Sequence, residues 1–325
     1  MPDGGAGLRG KTILITGGAG FIGTKVAQRF IEDNKIVVLD NLSRNSLADS
    51  PIAKHPNLQL IVGDVLDDRF VHESMRGADL VIHCAGIAGI DTVVQQPVRT
   101  MLVNMVGSAN VLAAAAEHGV ERTICFSTSE VFGSRAFGST ETDLSVIGAA
   151  GEARWTYAVS KLSEEHLALA YHRQHGLGVT VLRPFNVYGP GQVGEGAVRN
   201  FVRWAVRGEQ IEIHGDGSQI RAWCYIDDMV DAVLLAAAEP RANGEAFNIG
   251  NRRSVETILG LANTVLRVLD SRSQIVYLPA PSADVELRVP SVEKARQLLG
   301  FQAKVDLEEG IRRTADYFRS AIGSS

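Results

Sequence analysis

Residues 12–23, TILITGGAGFIG, join a short apolar strand to a loop with glycines at positions 17, 20 and 23. In a tight loop of this spacing, backbone N–H groups and the positive end of the next helix can meet the pyrophosphate of a dinucleotide. A glycine triplet alone is a weak signal in a chain with 33 glycines, because a structural turn can have the same letters. The apolar run before the loop and the helix pattern at 24–31 favour the dinucleotide site.

A second apolar run, at 36–39, ends in Asp40. A carboxylate at the end of the second strand can accept a hydrogen bond from the ribose 2′-hydroxyl, and it repels a 2′-phosphate. Arg44 lies close in sequence and would weaken that preference. The predicted cofactor is therefore NAD rather than NADP.

Charge and cysteine usage narrow the class of protein. The charges are mixed along 325 residues and sum to −5, without the blocks that favour nucleic-acid or membrane partners. Cys84, Cys125 and Cys224 are widely spaced and lie in apolar runs, which favours reduced thiols packed in a core. The first ten residues lack the apolar segment of a signal peptide, and we expect no run near the roughly 18 apolar residues of a spanning helix. The prediction is a cytoplasmic protein with no metal site and neither a nucleic-acid nor a membrane partner.

Apolar strand candidates alternate with helix patterns at 12–16, 36–39, 58–62, 79–84, 123–127 and 179–183. Buried strands joined by helical crossovers predict an α/β fold with a doubly wound parallel sheet of the Rossmann type. The long helix patterns at 98–118 and 157–174 could cover the sheet or form the helix bundle of a dimer.

Beyond Arg183 the alternation ends, and glycine-rich loops with an isolated strand at 247–249 suggest a smaller C-terminal lobe that binds substrate. The predicted NAD-binding domain spans 1–183, with a returning segment near 223–250. The predicted nucleotide-sugar-binding lobe spans 184–325.

Tyr157 and Lys161 lie four residues apart on a predicted helix and therefore on one face. A phenol with a pKa of about 10 is a poor base at neutral pH, and Lys161 with a cationic nicotinamide would lower that pKa. Tyr157 would then take the proton from a substrate hydroxyl as its carbon gives hydride to NAD. The spacing alone leaves open a structural role, with Tyr157 in a core and Lys161 in solvent.

Thr128, Ser129 and Glu130 follow the strand candidate at 123–127. Side chains at the carboxyl end of a parallel strand face the ligand crevice, where a substrate would lie. A Ser/Thr cluster at this position is also typical of turn capping.

Taken in order, these motifs resemble the extended short-chain dehydrogenase/reductase family that acts on nucleotide sugars. The resemblance is carried by GGAGFIG at 17–23, DNL at 40–42, GDV at 63–65, STSEVFG at 127–133, Tyr157 with Lys161, and RPFNVYGPG at 183–191. It covers essentially the whole chain. It implies bound NAD, a nucleotide-diphosphate sugar as substrate, and a homodimer.

The resemblance also implies roles for individual residues. Thr128 would assist Tyr157 at the sugar 4-hydroxyl, and Asn104 would support the active-site proton network. The implied catalytic residues are Thr128, Ser129, Glu130, Tyr157 and Lys161. The implied NAD-binding residues are Gly17, Gly20, Phe21, Ile22, Gly23, Asp40, Asn41, Asp64 (at the adenine), Val65, Ala85, Asn104, Tyr157, Lys161 and Pro184. The implied substrate residues, with arginine forks suited to phosphate oxygens, are Asn186, Arg199, Arg221 and Arg288.

Enzymes of this group begin by oxidising C4 of the sugar, and the fate of the ketone divides them. Loss of the 6-hydroxyl gives a 4,6-dehydratase, loss of a C6 carboxylate gives a decarboxylase, and reduction from the other face gives a 4-epimerase. The Thr-x-Glu pattern at 128–130 resembles dehydratases and UDP-glucuronate decarboxylases. RWTYAVSK at 154–161 resembles the decarboxylase half of the bacterial aminoarabinose-lipid enzyme.

The favoured interpretation is a UDP-glucuronate decarboxylase in which Glu130 and Arg221 flank the departing carboxylate. Three alternatives stay open: a dTDP-glucose or GDP-mannose 4,6-dehydratase, a UDP-glucose or UDP-glucuronate 4-epimerase, and a non-catalytic NAD-binding protein. The presence of Thr128, Tyr157 and Lys161 together disfavours the last of these.

Overall fold

The computed structural model describes residues 8–280 and 285–323. The strands are β1 (Thr12–Thr16), β2 (Lys35–Asp40), β3 (Leu58–Val62), β4 (Leu80–His83), β5 (Arg122–Phe126), β6 (Arg135–Ser139), β7 (Val179–Pro184), β8 (Val187–Tyr188), β9 (Ile211–His214), β10 (Ile220–Ala222), β11 (Cys224–Tyr225), β12 (Glu245–Ile249), β13 (Val255–Thr257), β14 (Ile275–Leu278) and β15 (Leu287–Pro290). The helices are α1 (Phe21–Phe30), α2 (Asp68–Met75), α3 (Ile90–Gln95), α4 (Pro97–Met101), α5 (Ser108–Glu117), α6 (Thr156–His175), α7 (Ala197–Arg207), α8 (Ile226–Ala238), α9 (Ile258–Leu269), α10 (Glu293–Leu299) and α11 (Leu307–Gly323). A π-helical segment, Leu102–Gly107, joins α4 to α5, and short 3₁₀ turns lie at Ser129–Phe132, Ala153–Trp155 and Pro240–Ala242.

Seven parallel strands form the central sheet, in the order β12-β7-β5-β4-β1-β2-β3. The chain starts at β1, adds β2 and β3 on one side, and then crosses over to add β4 and the remaining strands on the other. The carboxyl ends of all these strands lie along one edge, and the order reverses between β1 and β4. This is the doubly wound arrangement that the sequence predicts, and ligands bind at the point of reversal in such sheets.

Each face of the sheet carries its own apolar core. Ile13 and Ile15 of β1 pack into the cluster that includes residues of α1 and α8, whereas Leu14 packs into the cluster with residues of α2 and α5. Successive side chains of a strand point to opposite faces, so a continuous apolar run fills both cores. The sheet is therefore covered by helices on both sides.

Two strands differ from their predictions. β3 is an edge strand, and its Leu60 and Val62 are 41% and 55% exposed, so it is not one of the buried strands expected from its apolar letters. The strand predicted as isolated at 247–249 is β12, which pairs in parallel with β7 and completes the central sheet. It falls within the returning segment near 223–250, while the domain boundaries themselves stay a prediction.

A second sheet has the strand order β13-β10-β15-β6. Its strand β6 is the next strand after β5 along the chain. β15 runs parallel to both β10 and β6, and Arg288 of β15 is the register partner of Arg221 in β10. This pairing brings residues from the last third of the chain close to the segment that follows β5. Arg288 thereby reaches the central sheet's ligand edge.

The helical stretch Pro97–Glu117, formed by α4, the π-helical segment and α5, contains an apolar run long enough to cross a membrane by length and composition. The prediction that no run approaches that length is therefore wrong for this stretch. Half of that run is buried inside the fold, as in the core helices of globular proteins, so its composition is weak support for a membrane span. The buried side packs against α2 and α6.

Candidate active site

A cleft of about 610 Å³ opens where β1, β2, β4, β5 and β7 end. Most of the predicted site residues line it. They are Gly17, Gly20, Phe21, Ile22, Gly23, Asp40, Asn41, Asp64, Val65, Ala85, Thr128, Ser129, Glu130, Tyr157, Lys161, Pro184, Asn186 and Arg288. Asn104, Arg199 and Arg221 do not line the cleft.

The glycine loop after β1 is packed too tightly for side chains at two positions. Gly17 has φ +66°, and a Cβ there would lie 2.5 Å from the backbone nitrogen of Ala85. A Cβ on Gly23 would lie 2.5 Å from the carbonyl oxygen of Gly17. Gly20 is the N-cap of α1, and no side chain within the described residues caps that helix start. Backbone N–H groups at a helix start of this kind fit the pyrophosphate of NAD.

Asp40 lies at the end of β2, on the cleft wall, as predicted for a ribose contact. Its Oδ2 accepts a hydrogen bond from the Ala19 N–H at 3.0 Å, and its Oδ1 accepts one from the Leu42 N–H at 2.7 Å. Burial raises the pKa of Asp40, although the backbone N–H groups of Leu42, Ala19 and Gly20 oppose the rise. The carboxylate therefore also holds the glycine loop in place.

Asp64, the predicted adenine contact, follows β3 on the same wall. Its Oδ1 accepts a hydrogen bond from the Leu66 N–H at 3.0 Å, and its Oδ2 accepts one from Arg99 at 2.9 Å. Arg99 also lines the cleft, although the sequence does not single it out. The predicted adenine contact therefore has a cation beside it.

Tyr157 and Lys161 share the cleft wall with Thr128, so the structure brings the predicted catalytic residues together. Burial raises the pKa of Tyr157. Lys161 and a hydrogen bond from Thr128 lower it, and Glu130 and Glu164 raise it further, so the net direction is upward. Lys161 therefore acts in the predicted direction, but burial outweighs it in the polypeptide without a bound nicotinamide. Lys161 also donates a hydrogen bond to Glu164.

Glu130 lies in the 3₁₀ turn after β5 and contacts two arginines. Arg154 donates hydrogen bonds to its two carboxylate oxygens at 2.6 and 3.1 Å, and Arg288 approaches it at 3.4 Å. Burial alone would raise the pKa of Glu130, but the charges and hydrogen bonds of Arg288 and Arg154 outweigh burial and lower it. Glu130 is therefore a firmly ionised carboxylate between two cations.

Arg288 and Arg154, rather than Arg221, are the arginines in contact with Glu130. The buried guanidinium of Arg221 donates to the carbonyl oxygens of Ile220, at 3.1 Å, and Val285. Because β15 runs between β10 and β6, its Arg288 is closer to Glu130 than the neighbouring strand's Arg221 is. Arg288 lines the cleft and contacts Glu130, whereas Arg221, predicted to flank the substrate carboxylate with Glu130, does not line the cleft.

Asn104 lies behind the cleft wall, fully buried in the π-helical segment. Its Oδ1 accepts a hydrogen bond from the Ile87 N–H at 2.8 Å, and its Nδ2 donates to the Ile87 carbonyl at 3.1 Å and to Ser160 Oγ at 3.0 Å. It thus ties the segment after β4 to the helix that carries Tyr157 and Lys161. Such π-helical insertions are frequent at functional sites.

Two further substrate predictions fall on the second half of the chain. Asn186 lines the cleft with φ +40°, which is uncommon for a residue other than glycine, and its side chain donates to the Ala222 carbonyl at 2.9 Å. Arg199 of α7 donates to the Gln192 carbonyl at 2.8 Å and to the side chain of Asn200 at 3.0 Å. Arg199 therefore contacts the loop that forms the wall rather than the cleft itself.

The sequence does not single out several polar residues around the site. Glu164 could have been found, because it lies three residues after Lys161 on a predicted helix. Glu195 could not, because its carboxylate reaches the N–H groups of Asp91 and Thr92 from a distant loop.

Comparison with known proteins places this chain in a family. A family model described as the NAD dependent epimerase/dehydratase family matches residues 13–250. UDP-N-acetyl-alpha-D-glucosaminuronate decarboxylase of Bacillus cytotoxicus is 33% identical, over 95% of this chain and 98% of the relative. UDP-glucuronic acid decarboxylase 6 of Arabidopsis thaliana is 34% identical, over 96% of this chain and 90% of the relative. The crystal structure of UDP-glucose 4-epimerase with UDP-glucose from Thermotoga maritima has a TM-score of 0.87 and 33% identity, and the match covers 96% of this chain and 99% of that one.

The chain belongs to the NAD dependent epimerase/dehydratase family. It is an NAD-dependent enzyme of the extended short-chain dehydrogenase/reductase type. The predicted resemblance, fold class and cofactor are confirmed.

Proposed function

We propose that this enzyme decarboxylates a UDP-uronate. C4 of the sugar is oxidised first, and the resulting C4 ketone makes the C6 carboxylate part of a β-keto acid. The C5–C6 bond then breaks and carbon dioxide leaves, while the electron pair of that bond moves toward the C4 oxygen. The enolate that results takes up a proton from solvent at C5. The decarboxylases among the relatives support this reaction class.

The chain's own residues would bind NAD at the carboxyl edge of the sheet. The loop at Gly17 and the start of α1 hold the pyrophosphate, and Asp40 holds the ribose. NAD, when bound, supplies the oxidant for C4. Every other part of the reaction needs proton transfer, orientation or charge, which side chains of the cleft can provide.

Tyr157 is the general base that faces the sugar 4-hydroxyl in this proposal. It accepts that proton during oxidation, aided by the charge of Lys161 and by the hydroxyl of Thr128. After the C5–C6 bond breaks, the same phenol is a hydrogen-bond donor to the oxygen at C4. A buried donor at the site of a developing oxyanion stabilises the transition state.

The main support for decarboxylation is the ionised Glu130 that lies between Arg154 and Arg288. The three groups carry one net positive charge, and Arg288 lines the cleft, so the cluster favours a substrate with a carboxylate. Decarboxylation of a β-keto acid needs no base at C5. A 4,6-dehydratase does need one, and two arginines make Glu130 a weak base by lowering its pKa.

The second lobe supplies the remaining substrate contacts in this proposal. Asn186 lies at the cleft and would contact the sugar or its diphosphate. Arg199 and Arg221, which lie outside the wall, would contact the nucleotide if the 189–196 loop and β10 move toward it. This assignment rests on the family resemblance.

A homodimer in the cytoplasm completes the proposal. Val98, Leu102 and Val106 are exposed at four-residue intervals along the helical stretch Pro97–Glu117, and they form an apolar row on its outer side. A second copy of the chain would cover this row. The three cysteines are free, which supports a reducing location.

The test is to incubate the NAD-loaded enzyme separately with UDP-glucuronate, UDP-N-acetylglucosaminuronate, UDP-glucose, dTDP-glucose and GDP-mannose. Mass spectrometry of the products then separates the reactions. Loss of carbon dioxide from a UDP-uronate is expected. Loss of water from a neutral sugar would identify a dehydratase, and an unchanged mass with an altered sugar NMR spectrum would identify an epimerase.

A further inference from the structure

Glu164 is a buried carboxylate to which the proposed reaction assigns no role. Its side chain has no exposed surface, and its Oε2 accepts a hydrogen bond from Nζ of Lys161, whose side chain is 5% exposed. The two residues lie on one face of α6, at positions i and i+3. We propose that Glu164 is a positioning residue that keeps Lys161 protonated and fixes its ammonium group beside Tyr157. This inference rests on the proposed oxidation at C4.

Residues from the sheet and from α5 surround the pair. Ser108 of α5 lies beside Glu164 and donates a hydrogen bond to the Asn104 carbonyl at 2.6 Å. His83 of β4 lies between Ser108 Oγ, 2.9 Å from its Nε2, and Thr16 Oγ1, 2.6 Å from its Nδ1. This polar network lies beside the pair, and Oε1 of Glu164 has no hydrogen-bond partner among the described residues.

The other titratable groups facing this pair do not balance the charge of Lys161. Burial and Lys161 lower the pKa of His83 to about 3, so this ring is neutral. Burial raises the pKa of Cys84 to about 12 and that of Cys125 well above its ordinary value, so both thiols stay protonated. The two nearby carboxylates have their own partners: Glu165 pairs with Arg183, and Glu130 pairs with Arg154 and Arg288. Glu164 is therefore the carboxylate in direct contact with Lys161, whose charge opposes the rise in pKa that burial causes at Glu164.

The raised pKa of Tyr157 explains why Lys161 needs this partner. Burial raises the pKa of the phenol, so the phenolate forms only at higher pH. Burial alone would lower the pKa of Lys161, so the lysine would lose its charge at lower pH. Glu164 and Tyr157 outweigh burial and raise the pKa of Lys161. Lys161 thus keeps its charge to higher pH than burial alone would allow.

The first experiment observes Lys161 directly, without substrate. Full-length, NAD-loaded protein with lysines isotope-labelled at Cε is titrated by NMR, and Lys161→Arg assigns the Lys161 signal. The signal should titrate at lower pH in Glu164→Gln than in the wild type, because the amide keeps the shape but loses the charge. Glu164→Asp, which retains the charge, should return it toward the wild-type position. Glu165→Gln, at the next position of the same helix, should leave it unchanged.

An unchanged Lys161 signal in a folded Glu164→Gln variant would overturn the inference. If that variant does not fold, the wild-type titration tests the inference by itself. A wild-type Lys161 signal that titrates at lower pH than the exposed lysines would contradict the role of Glu164. The second measurement is the pH profile of NADH formation with the sugar found to be oxidised. Its alkaline limb should move to lower pH in Glu164→Gln, so that the activity relative to wild type falls roughly tenfold per pH unit between the two limbs. An altered Lys161 titration in a protein that oxidises no sugar would refute the proposed function and leave the role of Glu164 standing.

Discussion

The guanidinium of Arg154 donates hydrogen bonds to both carboxylate oxygens of Glu130, at 2.6 and 3.1 Å. Both side chains are largely buried, and Arg154 sits in the 3₁₀ turn that precedes the helix carrying Tyr157 and Lys161. The bidentate contact links the end of β5 to the start of α6. Arg288 is the third member of the cluster, and it is the arginine of the cluster that lines the cleft.

We expect Arg154→Met to lower the free energy of unfolding by about 3–5 kcal/mol, because it breaks a buried ion pair. The double variant Arg154→Met/Glu130→Gln should lose less than the sum of the single changes, because a neutral amide needs no cation. Arg135→Met is the matched control, since its contact with Glu286 is exposed and is worth about 0–1 kcal/mol. Urea unfolding of all variants gives the comparison, and equal losses for Arg154→Met and Arg135→Met would contradict the buried pair.

Gly17→Ala should abolish NAD binding. The new Cβ would lie 2.5 Å from the Ala85 backbone nitrogen, so the loop must move away from the edge of the sheet. Gly119→Ala is the control, because Gly119 has nearly the same φ, +67° against +66°, but no atom within 4 Å of the new Cβ. Isothermal titration with NADH should find binding lost only in Gly17→Ala. Equal affinities in the two variants would show that close packing of this loop is not needed.

His83 should make the protein less stable as the pH falls. Burial, together with Lys161, lowers its pKa from 6.5 to about 3, so the unfolded chain binds a proton that the folded protein does not. The unfolding free energy contributed by this residue is therefore complete above about pH 6.5 and decreases by about 1.4 kcal/mol per pH unit down to about pH 3.

In His83→Gln, the unfolded chain no longer binds this proton, so the unfolding free energy should depend less on pH. The glutamine amide can still hydrogen-bond Thr16 and Ser108. Urea unfolding between about pH 7 and pH 5 measures the slope, and the same exchange at the exposed His214 supplies the baseline. If His83→Gln and wild type have the same slope, the ring is not held neutral.

Charges on the apolar row of the helical stretch Pro97–Glu117 should convert a dimer into monomers. Val98 is 72% exposed, and Val106 follows it on the same side of the helix. We expect Val98→Glu/Val106→Glu to sediment as a monomer, because two buried charges at an interface cannot be paired. Leu144→Glu places a charge on an exposed leucine elsewhere and should keep the wild-type mass. A wild type that is already monomeric would contradict the proposed assembly.

The strands of the central sheet were predictable because buried parallel strands are continuous apolar runs, and the helix between β1 and β2 was predictable from the glycine loop. The placement of β12 was not, because it pairs with β7 across more than sixty residues of chain and no local pattern records that contact. The edge position of β3 was missed for the same reason. Apolar letters show that a run can be a strand but not how many neighbours it has.

In the site, too, local patterns place some residues, and contacts between distant segments place the others. Tyr157 and Lys161 share a helix, so their spacing of four residues places them together, and the spacing of three residues from Lys161 could have indicated Glu164. The Glu130 cluster combines a residue after β5 with Arg288 from β15, and this contact depends on the second sheet. Without that sheet, the sequence pattern placed Arg221 beside Glu130 and Arg288 at the nucleotide diphosphate.

The most direct test of the central proposal is the release of carbon dioxide from UDP-uronates labelled at the carboxyl carbon. NAD-loaded wild-type enzyme should release the label from UDP-glucuronate or its N-acetylated counterpart. Tyr157→Phe should release it about 10²–10⁴-fold more slowly while still binding NADH. Wild-type enzyme that retains all of the label, yet converts either uronate to its 4-epimer or a neutral nucleotide sugar to a dehydrated product, would contradict decarboxylation.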